Sequence, residues 1–235
     1  MTPARITLIT GANRGIGREL AAQLADTGHT VLVAARDGDA ARTTVADLTA
    51  GRQNRRLAPV TLDVTDPESV AAAADRVRDD HGRIDVLVNN AAIHFDAWQT
   101  AVDADLAVVE EAMRTNLLGT WRVTQAFLPL LRAGRDPRIV MVSSEQASLE
   151  RMGAGVPAYK TSKAAVNALG RILAAELADD GIAVDIASPG WTATDMGGDG
   201  GRPVADGAAS VRHVVEAAAD SGTGRFLQDG KDLPW

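Results

Sequence analysis

The sequence predicts an α/β fold: a doubly wound, parallel sheet of about seven strands flanked by helices. Three observations predict it. Apolar runs of four to six residues alternate with longer helical patterns from end to end. The runs are β-branched and leucine-rich, as strands covered on both faces require. No linker, charge block or repeat divides the 235 residues, so a single domain over 1–235 is expected.

Taken in order, Arg-Ile-Thr-Leu-Ile at 5–9 is the first strand, and a glycine-rich turn follows it. The helix at 15–27 carries Ile16, Leu20 and Leu24 on one face. Thr-Val-Leu-Val-Ala at 30–34 leads to a helix at 39–51, and the strand at 57–62 to a helix at 67–81. Val-Leu-Val-Asn at 86–89 precedes the longest helical pattern, 103–132. Ile-Val-Met-Val at 139–142 precedes a helix at 158–179, where Ala164, Ala168 and Ile172 form one stripe beside Ala165, Leu169 and Leu173. Ala-Val-Asp-Ile-Ala at 183–187, a helix at 206–221 and a short strand at 225–227 complete the chain. The glycine-rich 197–201 stretch reads as a mobile connection inside the domain, part of a short lid around 191–206.

Composition narrows the function. Hydrophobic residues make up 46% and charged residues 23%, the balance of an ordinary soluble globule. A net charge of −7 argues against nucleic acid or an anionic membrane as partner. Without cysteine there is no disulfide framework, thiolate nucleophile or cysteine-held metal; no metal site is expected, and a reducing cytoplasm is the expected compartment. No apolar run approaches the roughly 20 residues of a membrane span, and the N-terminus lacks the apolar core of a signal peptide.

Two stretches carry chemistry. Thr10-Gly11-Ala12-Asn13-Arg14-Gly15-Ile16-Gly17 follows a strand and opens a helix, the setting in which backbone amides and a helix N-terminus hold a pyrophosphate. At the end of the second strand, Arg36 suits a ribose 2′-phosphate, with Arg14 able to approach from the glycine turn. Asp37 would instead offer a carboxylate to a free ribose hydroxyl if the register shifted. NADP(H) is therefore favoured over NAD(H). In the second stretch Tyr159 and Lys163 stand four apart near the start of a helix, on one face. A phenol tuned from about 10 to about 7 needs roughly 4 kcal/mol. One cation about 4 Å away supplies about that at an effective dielectric near 20, so an acidified phenol is expected.

The glycine turn, Asp63-Val64, Asn89-Asn90-Ala91-Ala92, Asn116, Ser143-Ser144, Tyr159-Lys160-Thr161-Ser162-Lys163 and Pro189-Gly190 stand in the order and spacing of the short-chain dehydrogenase/reductase family, which the chain resembles over nearly its whole length. Its ending, Gly224 to Lys231 with Pro234-Trp235, resembles members called carbonyl reductases. The resemblance implies a Rossmann-like domain that reduces a ketone or aldehyde reversibly with a nicotinamide cofactor. It implies Tyr159 as general acid/base, Lys163 on the nicotinamide ribose, Ser144 on the substrate oxygen, and Asn116 at a break in its helix holding a water of a proton relay. It further implies cofactor contacts from Gly11, Asn13, Arg14, Gly15, Ile16, Gly17, Arg36, Asp63, Val64, Asn89, Ala91, Tyr159, Lys163, Pro189, Gly190, Thr192 and Thr194, and substrate walls from His94, Phe95, Trp98, Ser144, Gln146, Met152, Trp191 and Met196. Three departures stand out: Ala92 replaces a usual glycine, the Ser144–Tyr159 interval is two residues longer than in many members, leaving Ser143 and Ser148 as alternatives to Ser144, and the lid is short. A small-molecule substrate and a monomer or homo-oligomer are expected. A regulator or scaffold that binds NADP without turnover is the competing expectation.

Overall fold

A computed structural model describes residues 4–235. Strands form where the apolar runs stand: β1 (Ile6–Ile9), β2 (Thr30–Ala35), β3 (Arg56–Thr61), β4 (Val86–Asn89), β5 (Arg138–Val142), β6 (Ala183–Ala187), β7 (Phe226–Gln228) and β8 (Lys231–Asp232). They make one sheet in the order β3-β2-β1-β4-β5-β6-β7-β8, parallel through β7. Pro59 lacks an N–H, and it is tolerated because β3 is an edge strand.

The helices are α1 (Gly15–Asp26), α2 (Gly38–Thr49), α3 (Pro67–His81), α4 (Leu106–Ala112), α5 (Thr120–Arg132), α6 (Pro157–Glu176) and α7 (Val204–Val215). Local chemistry sets their ends. Asp66 caps α3, Pro67 opens it, Arg78 and His81 sit in its last turn, and Gly82 closes it at φ 71. Side chains alternate across the sheet. Leu8, Leu87, Ile139 and Met141 pack with Val77, Phe127 and Leu169 of α3, α5 and α6. Ile9, Val88, Val140 and Val142 pack with Leu20, Leu24 and Val211 of α1 and α7 on the other face.

The sheet has eight strands rather than about seven. The extra strand, β8, pairs antiparallel with β7 across a turn at Asp229 (φ 53) and Gly230 (φ 74), a dipeptide suited to such hairpins. The long helix expected at 103–132 is α4 and α5 joined by a seven-residue π-helical segment, Met113–Gly119. Helix α7 ends at Val215 rather than running to 221. Between β1 and β4 the strand order reverses, and at such a switch the loops diverge and leave a crevice at the carboxyl edge.

Candidate active site

That crevice is a cavity of about 620 Å³. One end is the turn after β1, where Gly11 (φ 62) and Gly15 (φ 52) hold left-handed backbone. A methyl group on Gly17 would lie 2.5 Å from Asn90 Nδ2 and 2.7 Å from the Gly11 carbonyl oxygen. The turn is stitched to the one after β4: Thr10 Oγ1 accepts the Asn90 and Ala91 amides at 2.9 and 3.0 Å. Asn90 Nδ2 in return donates to the Thr10 and Gly11 carbonyls at 2.8 and 3.2 Å. Asp37, Asp66 and Asp105 cap α2, α3 and α4, whereas no side chain caps α1. Its first turn borders the cavity together with Asn13, Arg14 and Ile16. An uncapped helix N-terminus over a close-packed glycine cradle fits a pyrophosphate.

Arg36, Asp63, Val64 and Ala91 border the same cavity. Asp37 does too, but its Oδ1 is engaged by the Asp39 and Ala40 amides at 2.8 and 3.4 Å. Burial opposes the charge of Asp63; the Thr65 hydroxyl and amide, with Arg36 and Arg114 nearby, outweigh it and hold the carboxyl below its usual range. Arg14 Nη1 meets Asp195 Oδ2 at 3.0 Å, so the glycine turn touches the segment after β6.

At the other end, Tyr159 in the first turn of α6 and Lys163 one turn on reach the cavity wall. Lys163 Nζ donates to the Val142 carbonyl at 2.8 Å and lies 6.0 Å from the Tyr159 ring centroid. Ser144 stands two residues past β5, close enough to Tyr159 for its hydroxyl to favour the ionised phenol. Its Oγ also accepts the Gln146 amide at 3.2 Å. Ser143 is turned toward the Lys163 carbonyl, and Ser148 toward the Trp235 carbonyl. The π segment presents Asn116 inward: Oδ1 accepts the Ile93 amide at 2.8 Å, and Nδ2 donates to the Ile93 carbonyl and to Ser162 Oγ.

The ionisation of the pair departs from the acidified phenol expected of the spacing. Burial raises Tyr159 above its ordinary value, with the nearby Ser144 hydroxyl opposing it, and lowers Lys163 to about 8. Both groups are desolvated together, and loss of water weighs more here than their mutual attraction.

Other residues are placed less uniformly. Pro189, Thr194 and Met196 border the cavity. Asn89 is buried, with Nδ2 on Thr124 Oγ1 at 3.0 Å. Gly190 stands outside the cavity, and Thr192 lies buried beneath Gly207 of α7. Phe95 packs edge-on to Tyr159, with ring centroids 5.3 Å apart. Phe95 and Gln146 also line a neighbouring recess with Arg151 and Lys160. His94 Nε2 meets Glu111 Oε2 at 2.7 Å, and Met152 is half-buried. Trp98 and Trp191 are 68% and 56% exposed, and Trp191 Nε1 donates to the Gly197 carbonyl. Three groups at the site had no signal in the sequence reading: Glu111 and Arg114 on the cavity wall, and Asp96, which accepts the Tyr159 amide. Among the described residues no cluster of potential metal ligands occurs, and no helix is long and apolar enough to cross a membrane.

The short chain dehydrogenase family profile matches residues 5–202. Short-chain dehydrogenase anuI of Penicillium roqueforti is 36% identical over 250 residues, covering 97% of this chain and 95% of that protein. C-signal of Myxococcus xanthus is 36% identical over 157 residues, covering 66% of this chain and 94% of that protein. Among solved structures, NADPH-bound carbonyl reductase from chicken fatty liver superposes with a TM-score of 0.87 at 29% identity over 99% of both chains. The glycine cradle, the switch-point cavity and these matches converge: the chain belongs to the short-chain dehydrogenase family of oxidoreductases.

Proposed function

We propose that this protein is an NADP(H)-dependent reductase of ketones or aldehydes, working reversibly, with Tyr159 as its general acid/base. The observation that carries the reading is Tyr159 beside Lys163, with the Ser144 hydroxyl near the phenol, at one end of a cavity whose other end is the uncapped glycine turn. When bound, the reduced nicotinamide supplies the hydride. The chain's own groups do the rest. The uncapped first turn of α1 takes the pyrophosphate, while Asp63 and Val64 border the adenine side. Arg36 meets the 2′-phosphate, and the engagement of Asp37 in capping α2 supports NADP(H) over NAD(H). The Ser144 and Tyr159 hydroxyls hold the substrate oxygen. Tyr159 then gives that oxygen its proton as charge develops, so the phenol must be protonated beforehand, which burial favours. Lys163 binds the cofactor ribose, and Asn116 braces the turn after β4 through Ile93. Phe95 and Met196 offer an apolar wall, in keeping with an uncharged carbonyl compound.

The competing reading is a regulator that binds NADP without turnover, favoured by the match to a protein named C-signal. Loss of NADPH absorbance with a panel of ketones and aldehydes separates the two. Turnover is expected with NADPH preferred to NADH, and Tyr159→Phe should lower kcat by about 100- to 10,000-fold while NADPH still binds. Tight NADPH binding with no turnover on any carbonyl would support the regulator, and turnover indifferent to Tyr159→Phe would exclude Tyr159 as the acid.

A further inference from the structure

The helix that carries Tyr159 starts from strained backbone. Val156, buried and β-branched, sits at φ 46 and ψ 52, a left-handed conformation such residues rarely adopt. Pro157 follows at the first helical position, and Val156 itself provides no side-chain cap. The missing cap comes from across the fold. Asp96, fully buried on the segment after β4, accepts the Ala158 amide on Oδ2 at 2.8 Å and the Tyr159 amide on Oδ1 at 3.0 Å. Gln99 Nε2 donates to the same Oδ2 at 2.9 Å. On the other side of the turn, Lys160 Nζ donates to the Gly153 and Ala154 carbonyls at 2.9 and 2.7 Å. Phe95, next to Asp96, rests against the Tyr159 ring.

We infer that Asp96 is a positioning residue for Tyr159: its two oxygens grip the Ala158 and Tyr159 amides and hold the strained turn in the one setting that keeps Tyr159 on the cavity wall. The inference rests on Tyr159 being the proton donor. It follows from what a carboxylate can do that its neighbours in size cannot. Each ionised oxygen accepts one amide, and the positive end of the helix compensates the buried charge. Burial works against that charge, but the Gln99, Ala158 and Tyr159 donors outweigh it and keep the carboxyl below its usual range. An asparagine accepts on one oxygen only, and its amide group would face a backbone N–H.

Tyr159 is the only tyrosine in the chain, so the ultraviolet absorbance of tyrosinate during an alkaline titration reports this one phenol, with or without a substrate. The comparison is wild type, Asp96→Asn and Asp66→Ala, the last removing the cap of α3 away from the site. With Asp96→Asn the loosened turn admits water to the phenol, and its midpoint should fall by about half a unit or more. The same variant should lose about 10- to 100-fold in kcat, the scale set by small misplacements of reacting groups, while NADPH affinity stays within about twofold. Asp66→Ala should lower thermal stability but leave the phenol midpoint and kcat unchanged. Should Asp96→Asn not fold, Asp96→Ser, whose hydroxyl can still accept one amide, carries the same comparison. An unmoved midpoint in the Asp96 variant, or equal changes in the Asp66 variant, would overturn the inference. Absence of turnover in wild type would instead defeat the proposed reaction, and the titration would still decide the role of Asp96.

Discussion

Lys163 is held where its charge is least favoured: the side chain is buried, and its ammonium has the Val142 carbonyl as its hydrogen-bond acceptor. Its pKa falls from 10.5 to about 8 by burial. Below about pH 8 the lysine is protonated in folded and unfolded chains alike, and the folded state bears the whole penalty, about 3 kcal/mol. Between about 8 and 10.5 the unfolded chain binds more protons, so this residue makes stability rise with pH. Lys163→Met should abolish that rise. The unfolding free energy of wild type minus that of the variant, measured in urea at pH 7 and pH 10, should grow by about 2 kcal/mol, and a constant difference would refute it. Spacing alone put Tyr159 and Lys163 on one helix face. It could not give the sign of the phenol's shift, because that depends on how much water the fold removes from both groups, and sequence spacing carries no measure of burial. Ser144 was legible as a hydroxyl following a strand, whereas its nearness to Tyr159, which comes from another element, was legible only through the resemblance.

At the scale of elements, the seven expected strands and three of the six expected helices were legible to within about two residues, because apolar periodicity and turn chemistry are local. The π segment was legible only as the helix break at Asn116 that the resemblance implies, and not from the local pattern. A helix with one extra residue per turn has nearly the same apolar pattern as an α-helix, and the only local hint was Asn116 among Leu117 and Leu118. The segment ends at Gly119, where the helix presses against the turn after β3. A methyl group there would stand 2.8 Å from Val64 Cγ2 and 3.2 Å from the Val64 carbonyl oxygen. Backbone as well as side chain must therefore move, and Gly119→Ala should cost about 1–3 kcal/mol. Val64 borders the cavity, so NADPH affinity should fall with it while Tyr159 chemistry persists at saturating cofactor. Thermal melting and a fluorescence titration with NADPH check both effects. An unchanged melting temperature would show that the two backbones separate without cost. Strand β8 was legible in principle through Asp229-Gly230, but two residues are too few for an alternation to register.

Across the whole molecule the two edges of the sheet divide stability from chemistry. The carboxyl edge gathers the glycine cradle, Tyr159 and Lys163 around open space. The opposite side is closed by charge. Arg138 opens β5 at 2% exposure, and Asp185 in β6 is fully buried. Asp185 accepts from Arg138 Nη1, from Arg225 Nε and Nη2 at 3.1 and 2.9 Å, and from the Arg225 amide at 3.1 Å. Arg138 Nη2 goes on to the Ala217 and Ala218 carbonyls, tying β5 to the residues that follow α7. The sequence reads Ala-Val-Asp-Ile-Ala as a strand, and that run does not show what pairs with its aspartate. The two arginines that neutralise it lie 47 and 40 residues away, beyond any local pattern. Breaking one partner of such a group leaves the other charge buried and uncompensated, so Asp185→Asn should destabilise by about 3–5 kcal/mol. Replacing the set together by apolar residues of similar volume, Arg138→Met with Asp185→Leu and Arg225→Met, should recover much of that loss, because the desolvation cost leaves with the charges. Urea unfolding of the single and triple variants measures the difference. Both should bind NADPH with wild-type affinity at temperatures where they are folded, since none of the three residues borders the cavity. A triple variant no more stable than Asp185→Asn would mean that the network contributes net stability, rather than merely offsetting the burial of its own charges.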